Sequence, residues 1–329
     1  MTDKNESKGT WLTYRPDIKI QDCTIRDGGL INDHRFDDKF VKAIYETDIK
    51  AGVSYMEIGY KASKQIFIPD KFGKWKFCDE SHMREVVGEN KTPLKLCAMA
   101  DAGRTDYHED ILPKKDSVLD LIRVACYIHQ IPAALDMVKD AYDKGYEVTL
   151  QLMAISVVME NELTEALDLI AQSPVTAVFI VDSFGALYSE QVRYLVNIYL
   201  KALEGTGKEV GIHAHNNQQL AYANTIEALI LGASRVDATI NGMGRGAGNC
   251  PLENLICFLK NPNFKLRPVL QCIQEHIVPL KKEMEWGSKI PYLITGMLNM
   301  HPKEAIKMRS GPNPDDYVSF YDQVVQQES

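Results

Sequence analysis

The stretch 209–240, EVGIHAHNNQQLAYANTIEALILGASRVDATI, decides the fold. Glu209–Ala214 is an apolar run of strand length. Gln218–Leu231 then places Leu220, Ala223, Ile226, Ala228, Leu229 and Leu231 at helical steps, Gly232 supplies a left-handed stop, and Arg235–Ile240 is a second strand-length run. This is a β-α-β unit. Working outward, the same alternation recurs with strands at Lys19–Cys23, Val53–Gly59, Leu94–Met99, Asp120–Ala125, Tyr146–Met153 and Ala177–Asp182. Helical periodicity covers Asp37–Ala51, Pro132–Lys144, Glu162–Gln172 and Glu190–Leu203.

Eight β-then-α units of roughly 25–35 residues predict a (β/α)₈ TIM barrel over 15–263. The alternative is an open doubly wound sheet, but its GxGxxG fingerprint does not follow the first strand. Beyond Phe264 the alternation stops, and Pro268–Trp286 and Pro291–Arg309 read as a C-terminal helical extension, 264–310. Residues 1–14 and 311–329 read as loosely held tails.

With 45% hydrophobic and 25% charged residues, the chain can bury a large core. A net charge of −8 argues against a nucleic-acid footprint, which needs a basic face. The opening MTDKNESKGTW lacks the apolar segment of a secretory leader, and no apolar run approaches ~20 residues, so no membrane span is expected. Seven cysteines without a CxxC pair fit reduced thiols, hence a cytoplasmic protein. Trp11, Trp75 and Trp286 read as packing or interface residues.

In a parallel barrel the chemistry lies at the C-terminal strand ends. There, His213 and His215, two residues apart on one strand, face the same side and suit a divalent cation; the alternative is a pair of solvated histidines. Asp22-Cys23-Thr24-Ile25-Arg26-Asp27-Gly28-Gly29 closes the first strand, placing Asp27 within reach of the histidines and Arg26 where enolate charge would develop. Otherwise Arg26-Asp27 is a turn ion pair. Asn241-Gly242-Met243-Gly244-Arg245-Gly246-Ala247-Gly248-Asn249 reads as an anion-binding loop or a plain tight turn. Glu57, Asp182 and Ser183 occupy other strand ends, and Gln151 reads as an ordinary hydrogen-bonded barrel residue.

Together these motifs resemble the metal-dependent family of 3-hydroxy-3-methylglutaryl-CoA lyase, 2-isopropylmalate synthase and 4-hydroxy-2-oxovalerate aldolase. Residues 22–28 are similar to its D-x-T-L-R-D-G signature, 213–216 to H-x-H-N, and 244–249 to its glycine-rich loop. Val181-Asp182-Ser183-Phe184-Gly185 and Asn249-Cys250-Pro251-Leu252-Glu253 bring the resemblance closest to the aldolase branch. The resemblance implies Asp27, His213 and His215 as ligands of one divalent ion, Mn²⁺ first and Mg²⁺, Zn²⁺ or Co²⁺ as alternatives. It makes Asn249 a further ligand or an orienting residue, and Arg26 the enolate stabiliser.

Gly28, Glu57, Asp182, Ser183, Gly244 and Gly246 are then expected around the substrate, a 2-oxo acid with an aldehyde or acyl partner. The aldolases carry a histidine base three residues after the metal aspartate; here that position is Leu30. His34 is the substitute candidate, with a solvated loop histidine as the alternative. Tyr292 is the candidate counterpart of a late aldolase tyrosine, otherwise a packing residue. His301-Pro302 has no assigned role.

The implied activity is an aldolase or lyase acting through a pyruvate-type enolate. The competing readings are a Claisen-type acyl-CoA lyase or synthase, and a metal-binding scaffold without catalysis. The resemblance also implies a homo-oligomer and, for the C-terminal helices, a dehydrogenase partner.

Overall fold

The structure is a computed structural model and describes Arg15 and residues 17–328. Trp11 and residues 1–14 of the N-terminal tail lie outside the described residues. Eight parallel strands close into a barrel in sequence order: β1 Lys19–Asp22, β2 Tyr55–Tyr60, β3 Lys95–Asp101, β4 Leu121–Cys126, β5 Glu147–Leu152, β6 Ala177–Asp182, β7 Glu209–Ala214 and β8 Arg235–Ala238. Closure is made by β8 against β1, with Lys19 opposite Arg235 and Asp22 opposite Ala238.

The helices begin with the single turn α1 Thr24–Gly28 and with α2 Asp38–Ala51 and α3 Glu80–Val87. The outer layer continues with α4 Ile131–Asp143, α5 Glu160–Ala171, α6 Ser189–Ala202, α7 Ala221–Leu231 and α8 Leu252–Leu259. Between β3 and β4 the crossover contains only the short turns Tyr107–Asp110 and Lys114–Asp116. The apolar faces of helices and strands merge in one core, and Trp75 and Trp286 are packed into it. None of the described helices is long and apolar enough to cross a membrane.

The expected stripe on α7 is only half right. Ala228 and Leu229 are buried, but Ala223 is exposed, and Asn224 and Thr225 take the inner face. Their polarity is satisfied locally: Asn224 Nδ2 donates to Leu187 O at 2.7 Å and Thr225 Oγ1 to Ala221 O at 2.7 Å. A helix whose inner polar groups find acceptors need not be apolar on that face.

The C-terminal region also departs from expectation. The first helix, α9 Leu266–Cys272, widens into a π-turn at Ile273–Ile277 and finishes at Leu280, just past Pro279, rather than at Trp286. The second breaks into α10 Ile290–Met297 and α11 Lys303–Arg309, because Asn299 is left-handed (φ 53°) and Pro302 can only precede a helix. Residues 311–329 are not a loose tail throughout: α12 spans Tyr317–Glu328. Phe320 and Val324, one turn apart, pack with Tyr292, Ile294 and Ala305 in a second core cluster. That pair is too sparse a stripe to recognise without its partner helices.

One buried pair carries a pH signature. Asp48 of α2 is fully buried beside Asp22 of β1, and its carboxyl shares a hydrogen bond with the Asp22 carboxylate. Burial raises Asp22 from 3.8 to about 6; burial and the Asp22 charge raise Asp48 well above its ordinary value. Both folded pKa values are raised, so the stability these groups provide is complete below the unfolded pKa and lost as pH rises through about 6 and beyond. Asp48→Asn should remove most of that loss, gaining roughly 1–3 kcal/mol on the wild type between pH 5 and pH 8. Parallel stability curves in chemical denaturation at the two pH values would exclude this coupling.

Candidate metal centre and cavity

The turn α1 follows β1 directly and folds Arg26 and Asp27 over the barrel mouth. Asp22 caps it, accepting from Thr24 N at 2.9 Å and from the Thr24 hydroxyl, while Thr24 Oγ1 accepts Ile240 N–H at 2.8 Å. The turn is thereby tied to the end of β8. From the other side, β7 delivers His213 and, one step beyond its end, His215. Ligand atoms of Asp27, His213 and His215 lie within 4.8 Å of one another, all buried.

Each imidazole is oriented through its far nitrogen. His213 Nδ1 donates to Asp237 Oδ2 at 2.8 Å, and His215 Nδ1 donates to the Asp182 carbonyl at 2.9 Å. Both Nε2 atoms therefore present lone pairs. His213 Nε2 is buried without a hydrogen-bond partner, 3.5 Å from Asp27 Oδ2. A lone pair facing a carboxylate oxygen is a repulsive contact that a cation between them turns attractive. Burial, then the neighbouring His213 and Arg245, hold His215 well below its ordinary pKa, in the neutral form that ligates. The donor set fits a divalent ion.

A second grouping, Cys23, His213 and Asp237, is also compact. It competes poorly: burial pushes the Cys23 thiol well up, and Asp237 is already committed to Arg123 and His213.

Asn249 reaches Asp27 because Gly248 (φ 78°) lets the loop double back; a Cβ there would lie 2.0 Å from Gly242 O. Asn249 Nδ2 then donates to Asp27 Oδ2 at 2.6 Å, orienting the carboxylate, and Asn249 Oδ1 is buried and unpartnered.

Sequence reasoning missed the charge network beneath these residues. Arg26 Nε donates to Glu57 Oε2 at 2.7 Å and Arg26 Nη1 pairs with Asp27. Glu57 also meets Arg123 at 3.0 Å, and Arg123 reaches Asp237 at 2.5 Å. Gln21, with its amide oxygen toward Arg123, accepts from Nη1 at 2.7 Å and Nε at 2.9 Å. The chain Asp27, Arg26, Glu57, Arg123, Asp237, His213 thus runs through the barrel interior with alternating partners. Its signal was available: Arg123 is a charge inside the apolar run Leu121–Cys126, where it must find buried partners.

Above the network a cavity of about 340 Å³ opens at the C-terminal strand ends, lined among others by Arg26, Tyr60, Asp101, Gln151, His213 and Arg245. Tyr60 is another residue the sequence reading passed over. The β2–β3 register shifts between Glu57 and Tyr60, and Gly59 (φ 154°) permits it, since a Cβ there would lie 2.1 Å from Trp75 O. The irregularity re-aims Tyr60 into the cavity. Leu30, in the place of the aldolase histidine, packs in the same cluster as Tyr60 and also lines the wall.

Of the residues expected around the substrate, only Ser183 lines the cavity, and its Oγ accepts Ala154 N–H at 2.8 Å. Glu57 lies beneath as the partner of Arg26 and Arg123. The Asp182 carboxylate is taken by Ala186 N at 2.9 Å and Leu187 N at 3.2 Å, so it shapes the loop that carries Ser183. The three glycines pack against neighbours: Gly28 on Met243, Gly244 on Asn249, Gly246 on the Tyr292 ring.

His34 and Tyr292, expected as catalytic candidates, do not line the cavity. His34 is buried behind Tyr60, its ring 5.3 Å from the Tyr60 ring, and burial, then Lys76 and Arg26, lower it to about 3. Tyr292 is a packing residue of the second core cluster. Gln151 does line the cavity while donating to Thr149 Oγ1 at 2.8 Å.

A larger cleft of about 900 Å³ lies at the opposite barrel end. Its two carboxylates are held in ion pairs: Lys19 pairs with Glu209, and Glu147 with Lys95 and Arg235. Burial pushes Glu147 up, but these cations prevail and hold it at about 2. This is the closed, structural end of the barrel.

Comparison with known proteins agrees with this geometry. A family model described as HMGL-like matches residues 126–275. An oxaloacetate decarboxylase of Mycobacterium tuberculosis is 31% identical over 253 residues, covering 75% of this chain and 71% of its own. A 4-hydroxy-2-oxovalerate aldolase of Bacillus cereus is 27% identical over 284 residues, covering 83% of this chain and 80% of its own. Among solved structures, the N-terminal domain of a Bacteroides vulgatus protein described as an aldolase superposes with a TM-score of 0.79 at 29% identity, over 90% of this chain and 98% of that one.

Proposed function

The chain belongs to the HMGL-like family and is a metal-dependent carbon-carbon lyase of aldolase type, and from that premise we propose that it makes or breaks the bond next to a pyruvate-type enolate. The observation that carries this reading is the convergence of Asp27, His213 and His215, with the lone pair of His213 Nε2 left unpartnered. Aldol cleavage of a 4-hydroxy-2-oxo acid and decarboxylation of oxaloacetate leave the same three-carbon enolate, so both relatives' activities need the same half of a site.

Asp27, His213 and His215 would hold the ion, with Asn249 orienting Asp27 or adding a donor through Oδ1. When bound, a divalent cation supplies Lewis acidity at the keto oxygen of a 2-oxo acid. Mixed nitrogen and oxygen donors suit Mn²⁺, our proposed ion. Arg26 faces the cavity with Nε and Nη1 held by Glu57 and Asp27, so its guanidinium is fixed where negative charge develops on the reacting oxygen.

Leu30 carries no proton, and the wall offers Tyr60 instead. Burial raises Tyr60 well above the ordinary phenol value, keeping its hydroxyl protonated and able to donate to the oxygen of an incoming carbonyl compound in the bond-forming direction. All seven cysteines are free thiols, six of them buried, which fits our placing the protein in the cytoplasm.

The test is exchange of pyruvate methyl protons into deuterated water, followed by NMR, because enolisation requires no knowledge of the acceptor. The Mn²⁺-loaded protein should exchange them, and thorough chelation should slow exchange by at least ~100-fold. Absence of exchange in the loaded protein, or exchange indifferent to chelation, would overturn the reading.

A further inference from the structure

The cavity holds more positive charge than a simple pyruvate unit can neutralise. With both imidazoles neutral, as ligation requires, the network beneath it sets Arg26 and Arg123 against Asp27, Glu57 and Asp237. One negative charge is left over; a divalent ion reverses it, and the carboxylate of a 2-oxo acid closes the balance. On the remaining walls, Lys76, Arg104 and Arg245 oppose Asp101 alone.

Arg245 has no carboxylate within salt-bridge distance among the described residues. Its Nε is buried without a partner, and its one side-chain hydrogen-bonding neighbour among the described residues is His301, with Nη1 3.2 Å from Nε2. His301 Nδ1 also faces the backbone N–H of Lys303 at 3.1 Å, so the single lone pair of a neutral His301 ring is approached by two donors. Whichever nitrogen carries the proton, one of the two contacts sets N–H against N–H. Protonating His301 would worsen the clash, and burial, then Arg245 and Lys303, hold it down at about 4. The arrangement becomes favourable when an anion's oxygens accept from both groups. Arg245 and His301 line the same cavity as His213 and His215, so this position and the metal centre share one chamber.

We propose that Arg245 and His301 form the subsite for the far end of the substrate, and that the substrate is a 2-oxo acid carrying a second anionic group, a carboxylate or a phosphate monoester, beyond the bond that is made or broken. This rests on the 2-oxo acid reading above. The metal centre takes the keto-acid end, and the Arg245–His301 pair takes the distal anion.

Calorimetric titration of the Mn²⁺-loaded protein with pyruvate, 2-oxoglutarate and 2-keto-3-deoxy-6-phosphogluconate tests it, the last two separating carboxylate from phosphate. At least one of the two should bind roughly 10- to 100-fold tighter than pyruvate, as a charge-assisted pair of hydrogen bonds provides. In Arg245→Gln the ratio should fall to about one, and in Arg245→Lys, which keeps the charge but loses the fork, to an intermediate value. Equal affinity for all three ligands in the wild type, or a preference that survives Arg245→Gln, overturns the proposal.

Inorganic phosphate titrated into the metal-free protein separates this outcome from failure of the 2-oxo acid reading. If pyruvate does not bind the loaded protein, that reading falls. Phosphate binding that is lost in Arg245→Gln would still support the anion subsite, and binding that is absent or independent of Arg245 would overturn it.

Discussion

Asp27→Asn is expected to abolish tight Mn²⁺ binding and, with it, pyruvate proton exchange. Asp27 is the anionic member of the donor set, and its two oxygens are placed by Arg26 on one side and Asn249 on the other. Asparagine keeps the shape but removes the charge that offsets the ion, and its amide nitrogen would meet either the guanidinium or the Asn249 amide, donor against donor. Changing groups one step removed from a metal already costs about 10- to 100-fold in affinity, so loss of the carboxylate itself should exceed ~100-fold. Isothermal titration with Mn²⁺ reads this directly. Circular dichroism serves as the control, since no apolar contact is lost. Wild-type affinity in this variant would remove Asp27 from the ligand set.

Arg123→Met should have the largest effect on stability, about 3–5 kcal/mol of destabilisation in urea denaturation. Arg123 is fully buried and joins Glu57 to Asp237. Methionine fills much of the volume but leaves two buried carboxylates with one partner fewer each. The exposed pair Lys139–Asp143 provides the contrast: solvent screens it, and Lys139→Ala should change stability by under ~0.5 kcal/mol. Arg123→Met should also weaken Mn²⁺ binding, because Asp237 orients His213. A destabilisation below ~1 kcal/mol would show that the network relaxes around the missing cation, and that its value lies elsewhere.

The clustering of the candidate ligands Asp27, His213 and His215 was legible because each member announces itself locally. His213 and His215 share a strand face by the period of two, and Asp27 follows a strand that ends in a glycine-flanked turn. Tyr60 was hidden because it enters the cavity through a register shift that reverses the strand's alternation. His34 does not line the cavity, because proximity in sequence to Asp27 does not say which side of Tyr60 the ring occupies. The glycines of 242–248 suggested an anion cradle, yet their bare Cα atoms accommodate Asn249, Tyr292 and Gly242 O, while the cation of that loop, Arg245, carries the anion argument.

By itself the sequence determined the eight strands and their order, because side-chain periodicity and turn residues act within a few positions, and it marked the strand ends that bear the candidate metal donors. Tertiary structure alone decided the alternating charges around Arg123, the breaks in the C-terminal helices, the packing of Phe320 and Val324, and the meeting of Arg245 with His301. Those features join residues brought together only by closure of the barrel and folding of the C-terminal helices against it, and a buried charge reveals its partner only where the chain has closed on it.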